Sequence, residues 1–417
     1  MRRTAWILLL LFAFAIPWEY SLDLGGLLGN AARVAGLLVL LAAVPAVLQA
    51  GRMRTPGAFW WFALALFFWF YCSYFWTIDP VASLERIRGY FQEMMIVWLV
   101  WEFADTPADL RALLRATVAG SWVLALLTLA AFSSPEAIAA GQIRFAAYGQ
   151  DPNEVARFLD LGFPLAALLV NCERRWLPRL LALGFFPLGL VAVLLTASRE
   201  GFLAAVIGIA GSVVLLTQGR PRRLAAAVLL VPPFLAALWF IVPSATLARL
   251  ATIPEQLQSG DLNQRFNIWS AGWRAFTHAP LLGTGAGSFV AAARVSPIDT
   301  AHNTPLSIAV SGGLCALFLA AILLALAVRY ALRTHGPLRI ALVTSLIVWA
   351  LTSLVATVEE NRTTWLLLAM IAVAGRIAAD DPGGLTDCFS ARPLLRTFGR
   401  QSSSTPACGG VTRHVTL

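Results

Sequence analysis

Four short polar stretches carry the side chains able to do chemistry. They are Asp151-Pro152-Asn153-Glu154, the segment 196–201 with Arg199 and Glu200, the segment 265–274 with Arg265, Trp269 and Arg274, and Ala301-His302-Asn303-Thr304-Pro305. A guanidinium is planar and presents paired N–H donors that match phosphate oxygens. Arg199 and Arg265 are therefore candidates for gripping an anion. His302 is the candidate base. The following Thr304-Pro305 reads as a helix N-cap with proline at the first helical position. That puts the imidazole at the positive end of a helix dipole, where the cation is disfavoured and a neutral, proton-accepting ring is favoured.

Plainer explanations stand beside these. Arg199, at a membrane boundary, could pair with Glu200 or Glu154 or reach lipid headgroups. The stretch 262–276 reads as an amphipathic helix with Phe266, Ile268, Trp269, Trp273 and Phe276 on its apolar side, and its Arg265 could meet lipid phosphate. A lone histidine is more often structural than catalytic. Gly283-Thr284-Gly285-Ala286-Gly287 reads as a flexible turn whose backbone amides could bind an anion, a weak signal on its own.

The elements that must position these residues are apolar. The chain has 417 residues, 59% hydrophobic and 13% charged, whereas soluble domains carry roughly a quarter charged residues. Runs near bilayer length recur throughout, and the short alternating segments of a β-barrel are missing. The reading is an all-α polytopic membrane protein with about 12 transmembrane helices. The spans fall at about 4–18, 31–50, 58–76, 89–104, 116–132, 155–171, 180–197, 201–217, 224–242, 305–328, 340–356 and 363–379. A large loop, about 243–303, holds short helices. The polytopic domain covers 1–380, and the Gly/Ser/Pro/Arg-rich stretch 381–417 is expected to be a disordered cytoplasmic tail.

Orientation follows the basic residues, which favour the cytoplasmic side. All 31 Lys-plus-Arg positions are arginine and the net charge is +9. About twenty of the arginines fall on one side of the alternation and about eleven on the other. Both termini are then cytoplasmic, and the four polar stretches face outward. In a membrane protein this excess charge marks cytoplasmic loops and anionic lipid, not nucleic acid. The five cysteines show neither metal-site nor disulfide spacing.

The polar stretches in this order resemble the O-antigen ligase superfamily. The resemblance rests on Asp151-Pro152-Asn153, Ser198-Arg199-Glu200-Gly201, Arg265 with Trp269, Pro280-Leu281-Leu282-Gly283-Thr284-Gly285, His302-Asn303-Thr304 and Glu360-Asn361-Arg362 before Trp365. It spans about 80–375. Each motif is short, and their order among the spans is what makes them specific.

The resemblance implies a GT-C-like glycosyltransferase architecture in the bacterial inner membrane, with its active site facing the periplasm. It implies transfer of a glycan from undecaprenyl diphosphate to a lipid A–core hydroxyl, with Arg199 and Arg265 on the diphosphate and His302 activating the acceptor. Arg86, Arg88, Asn153, Glu200, Trp269, Asn303 and Arg362 are possible supporting residues. No metal and no cofactor is expected: fixed cations can take the charge developing on a diphosphate leaving group, and a positioned base can take the hydroxyl proton. Direct attack inverts the anomeric centre.

Three alternatives stay open. Related enzymes polymerise the glycan or attach it to protein. A twelve-span transporter would place its polar groups near mid-membrane at broken helices, not at one face. A structural scaffold gives no reason for Arg199, Arg265 and His302 to occur together.

Overall fold

The computed structural model describes residues 1–26, 29–259, 265–296 and 299–390. The chain begins with α1 (Arg2–Ala15), α2 (Ala31–Ala50), α3 (Ala58–Cys72), α4 (Pro80–Phe103) and α5 (Pro107–Phe132). A short α6 (Pro135–Ala139) precedes α7 (Pro152–Cys172), α8 (Trp176–Leu195), α9 (Arg199–Thr217) and α10 (Pro221–Ile241). The long loop holds α11 (Ser244–Ala251), α12 (Ile253–Ser259), α13 (Arg265–His278) and α14 (Phe289–Ala293). The chain then forms α15 (Thr304–Arg333), α16 (Gly336–Ser353), α17 (Arg362–Asp380) and α18 (Pro382–Phe389). A two-stranded antiparallel ribbon, β1 (Asp23–Gly25) and β2 (Gly29–Asn30), links α1 to α2.

The protein is thus an all-α polytopic membrane protein. Ten helices among the described residues are long and apolar enough to cross a membrane. The other two long helices are α10 and α4, and α4 carries Glu85, Arg86, Arg88, Glu93 and Glu102.

Two helices form the centre. α7 is enclosed by α5, α8, α9 and α16, and α17 by α4, α5 and α15. This explains why α7 is buried along its membrane-length window while α2 keeps an open apolar face. Ion pairs pin both ends of the bundle. At one end Arg2 and Arg54 meet Glu102 and Asp105, and Arg376 donates to the Trp101 and Ala104 carbonyls. At the other end Arg362 meets Glu19 and Gln92, and Arg86 meets Glu360. α4 and α17 therefore run parallel, with α1 antiparallel to both.

α15 is broken at Gly313, whose φ is 67°. The loop after α13 fills the break. Thr284 N donates to Val310 O at 2.8 Å, Gly285 N to Ser311 O at 3.0 Å, and Leu314 N to the loop's Pro280 O at 2.8 Å. Helix carbonyls and an amide freed by the kink are thus satisfied at membrane depth, where water cannot serve them. Gly313 also lets the loop approach: a Cβ there would lie 2.2 Å from Leu281 O.

The chain departs from its sequence reading after residue 380. Part of the stretch expected to be disordered is α18, which packs on α5, α7, α16 and α17. Leu385, Cys388 and Phe389 share one buried face, and Asp381 caps the helix through Gly384 N at 2.8 Å. Three apolar residues at helical spacing were outweighed in the reading by the Gly/Pro-rich composition around them. Residues 391–417 lie outside the described residues.

Candidate functional site

The four polar stretches converge because three of them are helix starts. Asp151 caps α7, its carboxylate accepting from Asn153 N at 2.8 Å. Ser198 caps α9, its hydroxyl accepting from Gly201 N at 3.2 Å. Asn303 caps α15, its side-chain oxygen accepting from Leu306 N at 2.8 Å. The last is a correction by one residue. Thr304 is the first helical residue, not the cap, because its hydroxyl is committed elsewhere: it donates to Ala356 O and accepts from Val358 N, both at 2.8 Å.

Glu200, in the first turn of α9, is the hub. One carboxylate oxygen accepts from Arg265 Nη2 at 2.7 Å, and the other from Arg157 Nη1 at 3.3 Å. Arg157 also meets Glu154 at 3.5 Å. The side chains of Glu200 and Arg157 are each 9% exposed and that of Arg265 is 16% exposed. The hub depends on α9 lying against α7, which Gly201 permits: a Cβ there would sit 2.3 Å from the Ala156 Cβ.

From Arg265 the connection runs to His302. Trp269, one turn along α13, donates its indole N–H to Ala301 O at 3.1 Å. That bond holds the segment carrying His302 beside α13. His302 is half-buried and takes φ 44°, the left-handed region that a side chain with a Cβ rarely occupies. Strain of this kind collects at functional sites. Burial pushes the His302 pKa below its ordinary value, and the Arg265 cation pushes it further down, against the pull of Glu200 and Asp299. The ring is therefore held neutral and can accept a proton.

Arg199 lies beside a second basic group. Its Nε donates to Arg249 O at 3.4 Å, and Arg249 Nε donates to Ala197 O at 3.2 Å. Arg144 completes the group, donating to Asn153 Oδ1 at 2.7 Å and to Thr196 O at 3.2 Å. Burial lowers the Arg144 pKa, and Arg249 and Arg199 lower it further. Three guanidiniums thus gather beside the first turn of α9, and the consecutive residues Arg199 and Glu200 join this group to the hub.

The structure sorts the expected residues. Glu200, Arg265, Trp269, His302 and Asn303 fall in one cluster, with Arg199 and Asn153 alongside. Arg86, Arg88 and Arg362 line a different cavity, in which Arg86 is paired with Glu360 and Arg362 with Glu19. Two expectations are overturned. The 283–286 amides are spent within the protein, those of Gly283, Thr284 and Gly285 on carbonyls and that of Ala286 on Ser73 Oγ, so this glycine-rich turn is a packed brace and not an anion cradle. α13 packs through Ile268, Ala271, Gly272 and Ala275, while Phe266 and Trp273 are exposed. Small residues win that face because Phe289 and Leu306 come close: a Cβ on Gly272 would lie 2.8 Å from the Phe289 ring. The part of the expected helix before Arg265, residues 262–264, lies outside the described residues.

Sequence reasoning singled out none of Arg157, Arg144 and Arg249. For Arg157 a signal existed, since Glu154 and Arg157 stand three residues apart in a helix otherwise almost wholly apolar. Buried Glu359 was also missed as a functional candidate. Its pKa is raised by burial and eased down chiefly by a hydrogen bond from Ser307. Among the described residues no three His, Cys, Asp or Glu side chains are grouped so as to hold a metal ion.

Residues 184–321 match the family model described as O-Antigen ligase. The matched segment runs from the middle of α8 into α15 and contains Arg199, Glu200, Arg265, Trp269, His302 and Asn303. The resemblance read from the polar stretches is therefore a family resemblance over the segment that builds most of this cluster. No curated protein matches the chain.

Proposed function

We propose that this protein is an O-antigen ligase of the inner membrane, transferring a glycan from undecaprenyl diphosphate to a lipid A–core hydroxyl at the periplasmic face. The observation that carries this reading is the joining of Arg265 to a neutral, strained His302 through Trp269 and Ala301. A base alone would be consistent with many reactions. A base adjoining buried and clustered guanidiniums suits a reaction in which a proton leaves one oxygen while negative charge grows on a phosphate.

In this mechanism the acceptor oxygen attacks the anomeric carbon of the glycan, and its proton passes to the free imidazole nitrogen of His302. The bond from the anomeric carbon to the diphosphate oxygen breaks, and the electron pair leaves with undecaprenyl diphosphate. Arg199 and Arg265 hold the diphosphate, so the developing charge meets fixed cations and no metal is needed. Attack opposite the leaving group inverts the anomeric centre. Glu200 positions Arg265, and Trp269 positions His302.

The deciding experiment is a gel of the envelope glycans from a strain deleted for this protein. Long glycan chains that persist on undecaprenyl diphosphate but are missing from lipopolysaccharide support the ligase. Accumulated single repeat units would instead make the protein a polymerase using the same donor. Unchanged glycans of both kinds would refute glycan transfer.

A further inference from the structure

Apart from the Glu200 hub, the start of α4, the start of α2 and the loop before α17 enclose a cavity of about 780 Å³. Arg33, Arg86, Arg88 and Arg362 line it. Arg86 and Arg362 are already held by Glu360 and Glu19. Arg33 and Arg88 are exposed and, among the described residues, have no carboxylate within ion-pair distance. The same walls carry hydrogen-bond acceptors and aromatic faces in Glu85, Gln92, Tyr20 and Tyr74. Beside this cavity, sharing Arg33, Gln92 and Arg362, an apolar groove of about 440 Å³ runs between α1, α2 and α4. Phe12, Leu37, Leu40, Phe91, Met95 and Leu99 line it.

We propose that this joined cavity and groove seat a phosphorylated glycolipid, with its phosphate on Arg33 and Arg88, its sugar in the cavity and its hydrocarbon chain along the groove.

Three observations carry this. Paired donors on two guanidiniums that have no ion-pair partner among the described residues suit phosphate, although Glu85 and Glu93 share the cavity wall. The mixture of carboxylate, amide and phenol suits sugar hydroxyls better than a bare anion, and the volume lies in the range of sites that enclose a sizeable organic head. The groove opens from the same walls, so a molecule with both parts fills both spaces at once. The cavity is also tied to the base. Thr304, two residues after His302, is hydrogen-bonded to Ala356 and Val358, in the loop that carries Glu360 into the cavity wall. Resting on the glycan-transfer reading, which gives the diphosphate of the donor to Arg199 and Arg265, the glycolipid seated here is the acceptor.

The test is lipid binding to the purified full-length protein by native mass spectrometry. The probes are bisphosphorylated lipid A, its dephosphorylated form and undecaprenyl diphosphate. The phosphorylated lipid A is expected to bind at least tenfold more tightly than the dephosphorylated form. The double variant Arg33→Ala/Arg88→Ala, at two exposed positions, is expected to abolish that preference while undecaprenyl diphosphate still binds. Leu37→Trp, at another exposed position, fills the groove and is expected to weaken both lipid A forms alike. Equal binding of the two lipid A forms, or an unchanged preference in the double variant, would overturn the proposal. Loss of undecaprenyl diphosphate alone in the double variant would also overturn it, by giving the cavity to the donor. If the double variant loses lipid A as expected and the wild-type protein transfers no glycan, the lipid site stands and only the transfer reading fails.

Discussion

The Glu200 hub offers a test that separates a purely structural Arg265 from one that also meets the donor as proposed. Glu200→Gln keeps the shape of the side chain and removes its charge. Arg157 still has Glu154 at 3.5 Å. Arg265, 16% exposed, loses the one carboxylate that pairs with it among the described residues. Stranding a buried charge costs about 3–5 kcal/mol, and the residual exposure of Arg265 places the variant at the low end, about 3 kcal/mol. Adding Arg265→Met removes the stranded cation, so most of this loss is expected to return in the double variant, since replacing both partners of a buried pair is often close to neutral. Activity is expected to behave differently. If Arg265 meets the donor diphosphate, Arg265→Met and the double variant both lose transfer by about 10²–10³-fold, the usual effect of deleting one donor to a developing oxyanion. The measurements are thermal unfolding of the purified protein in detergent and transfer from a lipid-linked glycan in the same preparation. A double variant with wild-type stability and wild-type transfer would show that Arg265 serves only to neutralise Glu200. An unchanged stability for Glu200→Gln alone would refute the buried-pair argument itself.

His302→Ala is expected to reduce transfer below detection in the same assay while leaving expression and membrane insertion unchanged; full activity would remove it as the base. Because its folded pKa lies below the unfolded value, transfer by the wild type is expected to persist through the ordinary histidine range near about 6.5 and fall only at lower pH. The associated stability is complete above the unfolded pKa and is lost as pH drops through the folded one. Arg265→Gln removes a repelling cation and is expected to move the acid limb of kcat/KM upward, read from the pH profile of the residual activity. Trp269→Phe keeps a ring but loses the bond to Ala301, and is expected to cost about 1 kcal/mol of stability with a larger loss in transfer, measured side by side. Gly201→Ala forces α9 away from α7 and is expected to destabilise by about 1–3 kcal/mol in thermal unfolding.

The amino-acid sequence alone determined the class of the protein and singled out its candidate chemical groups. Bilayer-length apolar runs leave few alternatives, because a backbone in lipid must satisfy its own hydrogen bonds. Arg199, Arg265 and His302 stood out because charge and imidazole are scarce among such runs and sit at their ends. Tertiary structure decided which of these groups meet. Glu200 could have paired with its neighbour Arg199, but side chains at i and i+1 point apart on a helix, and the packing of α7 and α13 on α9 brings Arg157 and Arg265 to it instead. The glycine-rich turn had the composition of an anion cradle, yet the amides of Thr284 and Gly285 were claimed by the break in α15 and that of Ala286 by Ser73, partners outside the turn. Arg33, Arg86, Arg88 and Arg362 come from three helices, so no local pattern could show that they share one cavity. Sequence periodicity fixes which face of a helix is apolar, whereas the choice of partner for each polar end depends on which other ends the packed bundle delivers to the same place.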